Sequence, residues 1–248
     1  MEITSAVEDY LKAIHNLAHP TDGSIQTVST SALADRVGVA APSVSAMLAR
    51  TDNAGLTTRH ARAVTLTAAG EAVALRVVRR HRLVETLLYR QLGVPWDEVH
   101  DEAERIEHAI SDRLEDYLDR AMGYPSHDPH GDPIPAKHQR TEPEEHHLAL
   151  TDAPAGQSFR VRRVSDANPA GLRHLASHGV LPNATLTVIT HEPFSGPIWL
   201  HVHGQSSPHP LPAALAHDVF GDLITSPARA CLTDESPPPR NPAGHGEN

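Results

Sequence analysis

His100, Glu104, Glu107 and His108 are the residues of this chain best suited to chemistry. On a helix they fall within an arc of roughly 100°, so two imidazoles and two carboxylates share one face. Beside that face run Ala103, Ile106, Ile110 and Leu114, an apolar stripe expected to turn inward and to carry the polar groups to the core boundary. Carboxylates crowded there repel one another and lose water, a cost that a divalent cation offsets. A solvated acidic helix face is the plainer alternative. A second pair weighs against it: His81 and Glu85 stand one helical turn apart, flanked by Val77, Val84 and Leu88, a poor setting for solvent and a good one for a ligand.

The elements that must hold these groups are legible from their ends. Pro95 followed by Trp96-Asp97-Glu98 opens the ligand helix, with acids at the positive end of its dipole, and the helix is expected to run to about Met122. Before it, Thr67 caps a long helix from Ala68 to about Leu92, which Gly93-Val94-Pro95 stops. Residues 5–18 form a first helix, with Ser5 as its cap, Ala6, Tyr10, Leu11, Ile14 and Leu17 at helical spacing, and Glu8 and Asp9 as its carboxylates. A short helix Ala32–Val37 stops at Gly38, and another starts at Pro42 and runs to about Ala54 with Val44, Met47 and Leu48 inward. Two helices joined this way make a helix-turn-helix. Leu56–Arg59 and Ala63–Leu66 then alternate as strands around His60-Ala61-Arg62, a hairpin wing.

The outer side of the Pro42 helix carries Pro42, Ser43, Ser45, Ala46 and Arg50. Small residues there let a helix approach a groove floor and touch thymine methyls, while Arg50, Arg59 and Arg62 suit phosphates or the minor groove. A helix-turn-helix with only a structural role is the bland alternative. The net charge of −10 argues against a nucleic-acid binder, but it is unevenly spread. Between Arg36 and Arg82 eight arginines face Asp52 and Glu71, a balance of +6; between Asp97 and Asp119 ten acids face Arg105 and Arg113, a balance of −8. One block suits phosphate and the next a cation.

The 248 residues exceed one ordinary domain. The fold class expected is α+β multidomain: a winged helix-turn-helix over 1–73, a helical metal-binding and dimerisation domain over 74–122, a Pro/Gly-rich linker over 123–145, a small SH3-like β-barrel over 146–230 and a disordered tail over 231–248. Strands are expected at Ser158–Val164, Ala184–Thr190, Ile198–His203 and near Val219–Thr225, with a short helix at about Pro169–His178. Cys231 is the single cysteine, which excludes a disulfide framework and a cysteine-rich zinc site. The amino end has no basic or apolar leader and no window approaches a membrane span, so a cytoplasmic location with no membrane partner is expected. His127, His130, His138, His146, His147, His201 and His203 have no paired spacing and read as surface residues.

This order of elements resembles the DtxR/MntR family of metal-dependent transcriptional repressors, in the long form with a carboxy-terminal SH3-like domain. The resemblance covers about residues 4–230 and rests on Glu8-Asp9-Tyr10-Leu11, Arg80-His81-Arg82-Leu83-Val84-Glu85, the string Val99–His108, and Asp128-Pro129-His130-Gly131-Asp132-Pro133-Ile134-Pro135. It implies a primary metal site of Asp9, Glu104, Glu107 and His108 and an ancillary site of His81, Glu85 and His100, to which the SH3-like domain adds Asp166. The family's iron-type branch has methionine at the position of Asp9 and cysteine at that of Glu104; carboxylates at both resemble the manganese-type branch. Lys12 is a departure, because short manganese regulators place a glutamate there. The function implied is a homodimeric, Mn²⁺-responsive repressor of metal-homeostasis genes on double-stranded operator DNA, with no small-molecule substrate and no enzymatic activity. Fe²⁺ is the alternative activator, and Co²⁺ or Zn²⁺ are expected to substitute in vitro. A metal-dependent hydrolase also uses His/Glu sites to activate water, but no nucleophile loop is evident and the carboxylates leave little room for substrate. A metal buffer that never touches DNA would leave the +6 block and the wing without a role.

Overall fold

The computed structural model describes residues 3–20, 26–60, 63–139 and 146–224. Arg62 and the tail 231–248 lie outside the described residues. The first unit comprises α1 (Ser5–Ala18), β1 (Val28–Ser29), α2 (Thr30–Val37), α3 (Ala41–Asn53), β2 (Thr57–His60) and β3 (Ala63–Leu66). Thr4, and not Ser5, stands at the cap of α1 and makes no side-chain cap bond. The Ser29 hydroxyl accepts from the Ala32 N–H at the start of α2, and the helix ends at Gly38 with φ 72°, a left-handed stop that glycine adopts freely. Pro42 lies in the first turn of α3. Tyr10, Ile14, Val28, Leu33, Val44, Leu48 and Val64 form one core, and an antiparallel sheet of order β1-β3-β2 completes the winged helix. Because α1 shares that core with α2 and α3, a displacement of α1 carries the helix-turn-helix with it.

The helix α4 (Ala68–Leu92) begins where the Thr67 hydroxyl accepts from the Gly70 N–H and ends at Gly93, φ 68°. Val7 and Leu11 of α1 pack against its Val73 and Ala74. The single ligand helix expected to run to Met122 is broken in three. It consists of α5 (Val99–Ile106), a 3₁₀ turn over Glu107–Ala109, an extended Ile110, and α6 (Asp112–Ala121). Ser111 caps α6 by accepting from the Leu114 N–H, so a fresh N-terminus competes successfully with helix continuation. The expected apolar stripe divides accordingly. Ala103 is fully buried, whereas Ile106 and Leu114 are 38% and 42% exposed.

The charge blocks are not both surface features. Arg79 donates from Nε to Glu115 at 2.7 Å and from Nη2 to Asp119 at 2.6 Å, and Arg80 reaches Glu115 and Asp112 at 3.2 and 2.5 Å. Arg82 donates to the Pro133 carbonyl at 2.5 Å. All three arginines are buried. Much of the basic block therefore neutralises the acidic block inside the helical domain, and only the part preceding α4 is left for phosphate.

The C-terminal unit contains β4 (Leu148–Ala149), β5 (Ser158–Val164), α7 (Pro169–Ser177), β6 (Thr185–His191), β7 (Ile198–Val202), β8 (His209–Leu211), α8 (Ala213–Ala216) and β9 (Val219–Ile224). The strands form one antiparallel sheet of order β4-β9-β5-β6-β7-β8. Its core of Phe159, Val161, Leu172, Leu175, Leu186, Val188, Leu200 and Val202 also takes in Trp96 from the segment before α5. This indole anchors the β domain to the helical one.

Residues 123–139, expected as linker, carry no helix and only an isolated His127–Pro133 bridge, yet they are packed. Asp128 Oδ1 accepts from the His130 and Asp132 N–H groups at 2.8 and 2.9 Å, folding the loop on itself. Gly131, at φ 93°, lies so close to β5 that a Cβ would stand 2.0 Å from the Arg162 carbonyl oxygen. Proline and glycine exclude a ladder here; they do not exclude a close-fitting loop, and His130, expected at the surface, is fully buried within it.

Glu115 is the hub of the internal ion-pair network, and its loss leaves two buried guanidiniums short of an anion. We expect Glu115→Gln to destabilise the helical domain by about 3 kcal/mol or more, while Glu102→Gln, at an exposed pair with Arg105, changes stability by less than about 1 kcal/mol. Urea unfolding of the two variants checks this, and equal small effects would show the network to be dispensable.

Candidate metal centre

Four elements converge on one polar region. The first turns of α1 supply Glu8, Asp9 and Lys12; α4 supplies His81 and Glu85; α5 and its 3₁₀ extension supply His100, Glu104, Glu107 and His108; the loop after β5 supplies Asp166. The break after Ile106 has a direct consequence here. It lets Glu107 turn fully into the protein while His108 swings toward α1.

One group of donors joins the winged helix to the helical domain. His108 Nε2 lies 2.7 Å from Asp9 Oδ1 and 3.5 Å from Glu107 Oε1, and ligand atoms of Asp9, Glu107 and His108 all fall within 4.8 Å of one another. His108 Nδ1 pairs with Glu8 Oε2 at 2.8 Å, so Glu8 orients the imidazole. Glu104, expected in this group, instead lies with His81 and His100, their ligand atoms falling within 4.8 Å of one another. Its Oε1 is 2.7 Å from Lys12 Nζ and 3.7 Å from His100 Nε2.

A second group lies deeper, between α4, α5 and the β domain. His81 Nε2 is 3.0 Å from Glu85 Oε1 and 3.1 Å from His100 Nδ1. His100 Nδ1 in turn lies 2.9 Å from Asp166 Oδ2. Thus all eight residues expected to bind metal are brought into two adjoining groups. The buried Glu107 links them, because its Oε2 sits 2.5 Å from His81 Nδ1.

Two further residues belong to the region. His130 donates from Nε2 to the Trp96 carbonyl at 2.8 Å, which leaves Nδ1 with a lone pair. That Nδ1 is buried and has no hydrogen-bond partner, and it faces Glu85 Oε2 at 4.0 Å and groups with Asp166. A buried imidazole lone pair opposite two carboxylates is stable when a cation stands among them. Lys12 is the other addition, buried with its ammonium on Glu104 and Glu107. No helical spacing signals His130, which reaches the site only through the loop that packs on β5.

Electrostatics support the same reading. Burial works against a charged His100, but Asp166 and Glu85 outweigh it and push its pKa up to about 10. The same contest raises His81, through Glu85 and Glu107, and His108, through Glu8 and Asp9. Burial would raise the Glu107 carboxyl, yet His81 and Lys12 hold it below its ordinary value, and His81 and His100 hold Glu85 well below. Protons and one ammonium thus neutralise the carboxylates, positions that a divalent cation is suited to take over. Oxygen and imidazole donors without sulfur fit Mn²⁺, Fe²⁺, Co²⁺ or Zn²⁺.

Pro42, Ser43, Ser45, Ala46 and Arg50, the α3 residues expected to meet DNA, are exposed. Arg59 is partly engaged, since its Nε donates to Asp52 near the end of α3 and ties the wing to that helix.

Residues 2–63 match the family described as iron dependent repressor, N-terminal DNA binding domain; residues 67–136 match its metal binding and dimerisation domain; residues 148–222 match the FeoA domain. The chain is 33% identical over 233 residues to the iron-dependent repressor IdeR of Mycobacterium tuberculosis, covering 88% of this chain and 97% of that one. It is 35% identical over 135 residues to the diphtheria toxin repressor of Corynebacterium diphtheriae, covering 54% and 58%. Among solved structures it is similar to a manganese-dependent transcriptional repressor in complex with manganese, with TM-score 0.81, 39% identity and coverage of 88% and 100%. It is also similar to ScaR with bound Cd²⁺, with TM-score 0.72, 30% identity and coverage of 88% and 99%. Donors from a winged helix and a dimerisation domain meet at one point, and relatives match along almost their whole length: the chain belongs to the DtxR/MntR family of metal-dependent, DNA-binding transcriptional repressors, which are not enzymes.

Proposed function

We propose that this chain is a Mn²⁺-responsive repressor of metal-homeostasis genes, working in the cytoplasm as a homodimer on double-stranded operator DNA. The observation that carries the choice of metal is the donor set of Asp9, Glu104, Glu107 and His108, three carboxylates and one imidazole with no sulfur. Flexible carboxylates accept the larger coordination number and longer bonds of Mn²⁺, whereas Zn²⁺ tends toward four ligands. The Fe²⁺ reading is kept as the second, because the deeper group of His81, Glu85, His100 and Asp166 resembles the iron-type branch. No helix among the described residues is long and apolar enough to cross a membrane.

The mechanism follows from where the ligands sit. Asp9 belongs to the unit that carries α3, and Glu107 and His108 to the unit that dimerises. When bound, a divalent cation supplies a positive centre that these three can grip together. Asp9 then fixes α1, and through the shared core of Tyr10, Ile14, Leu33 and Leu48 fixes α3 relative to its dimer mate. Tyr89, Leu92, Leu114 and Tyr117 are exposed on α4 and α6 and supply apolar surface for that dimer. Of the population of spacings between the two recognition helices, the one that matches successive major grooves is favoured.

The test of the function is binding to a duplex selected by the protein from random sequence, titrated anaerobically with Mn²⁺, Fe²⁺, Co²⁺ and Zn²⁺. Mn²⁺ is expected to drive binding at least as fully as Fe²⁺ and more fully than Zn²⁺ at saturation. Activation by Fe²⁺ without activation by Mn²⁺ would replace the manganese reading with the iron one.

His108→Ala is the ligand variant of choice, because Glu107 also neutralises buried partners and its loss would disturb the fold. The variant is expected to lose metal-stimulated DNA binding while unfolding near the wild-type temperature; repression that still responds to Mn²⁺ would remove His108 from the ligands. Arg50→Ala is expected to weaken DNA binding and to make its log–log salt dependence shallower by about 0.9, with metal affinity in the absence of DNA unchanged. An unaltered slope would move the DNA contact away from the carboxyl half of α3.

A further inference from the structure

The Lys12 ammonium is sited where a cation is needed. It lies 2.7 Å from Glu104 Oε1, 2.7 and 2.8 Å from the two oxygens of Glu107, and 3.3 Å from His81 Nδ1. Its residue is only 6% exposed. The chain has 19 arginines and two lysines, Lys12 and Lys137. A guanidinium is a planar fork, whereas an ammonium is a compact point charge, close in this respect to a metal ion. Two of the four carboxylate and imidazole groups expected to hold the primary metal are therefore already neutralised by a side chain of the same protein.

We infer that Lys12 is a built-in counter-ion that competes with the metal for Glu104 and Glu107 and so sets the metal concentration at which this protein responds. The inference rests on the proposed metal site. A divalent cation drawn to Glu107 meets a positive charge within hydrogen-bond distance of the same oxygens, and the two cannot share them without strong repulsion. Lys12 must withdraw. Its four-carbon stem has somewhere to go, because a cleft of about 240 Å³ opens beside it, lined by Asp9, Ala13, Asn16, Arg36, Val37 and Glu104. Metal entry also shifts the attachment of α1 to Glu107 from Lys12 to Asp9, three residues away on the same helix. Lys12 thus keeps both carboxylates paired until a metal displaces it, beside the contacts that Asp9 and Glu8 of α1 make with His108.

Two measurements on the full chain test this. The first compares Mn²⁺ affinity without DNA, by competition with a fluorescent chelator, for wild type, Lys12→Gln and Lys12→Arg. Lys12→Gln is expected to bind Mn²⁺ at least about tenfold tighter, and Lys12→Arg, which keeps the charge in a bulkier and less fitting form, to gain less than Lys12→Gln. Equal or weaker binding by Lys12→Gln would overturn the inference. The second uses wild type alone, so it does not depend on a variant folding. Amine acetylation read by mass spectrometry is expected to modify Lys12 severalfold faster with saturating Mn²⁺ than without it, with Lys137, paired to the exposed Asp116 of α6, as the internal reference. An unchanged or slower rate at Lys12 while Mn²⁺ binds would overturn the counter-ion and leave the metal-responsive function standing. If wild type binds no divalent metal, both fall together.

Discussion

Glu107 is a carboxylate with no exposure to solvent, and much of the structure is arranged to keep its charge satisfied. It receives Lys12 from α1, His81 from α4, and through the neighbouring His108 is joined to Glu8 and Asp9. A desolvated carboxylate held between two domains is unfavourable without cationic partners and very favourable with them. That asymmetry makes the docking of the winged helix onto the helical domain sensitive to which cation is present. Protonated imidazoles, an ammonium and a divalent metal are alternative occupants, and each grips a different set of residues.

The rest of the fold fixes the geometry of this choice. Arg79 and Arg80 tie α6 to α4 through Glu115, so the wall from which His81 and Glu85 project is rigid. Trp96 and the loop holding His130 and Gly131 bind the β domain to that wall and bring Asp166 onto His100. Among the parts that meet at the site, the winged helix is held chiefly through α1, by its contacts with α4 and by the polar groups at Asp9 and Lys12. It is the part whose position a metal can change.

Local signals were a good guide wherever the determinant was local. Thr67, Gly38 and Gly93 mark helix ends by their own hydrogen bonding or backbone freedom, and the helices end there. The helical spacing of His81 with Glu85 and the clustering of His100 through His108 pointed to ligands, and those groups converge. What was not legible depends on distant partners. The 3₁₀ break at Glu107 arises from competition between helix continuation and the Ser111 cap, with Glu107 drawn to Lys12 and His81. The buried state of Arg79, Arg80 and Arg82 reflects acids 30 to 50 residues away, so a count of charges along the chain mistook internal pairs for a phosphate-binding surface. His130 enters through a loop whose proline and glycine content suggested a linker.

Coupling between metal and DNA is the core of this account, and it is reciprocal by thermodynamic necessity. The most direct measurement is Mn²⁺ affinity of the full chain with and without saturating selected duplex, set beside duplex affinity with and without saturating Mn²⁺. The account predicts that the duplex tightens Mn²⁺ binding by about tenfold or more, by the same factor by which Mn²⁺ tightens duplex binding. Mn²⁺ affinity that is indifferent to the duplex would contradict a site whose ligands join the DNA-binding unit to the dimerisation unit.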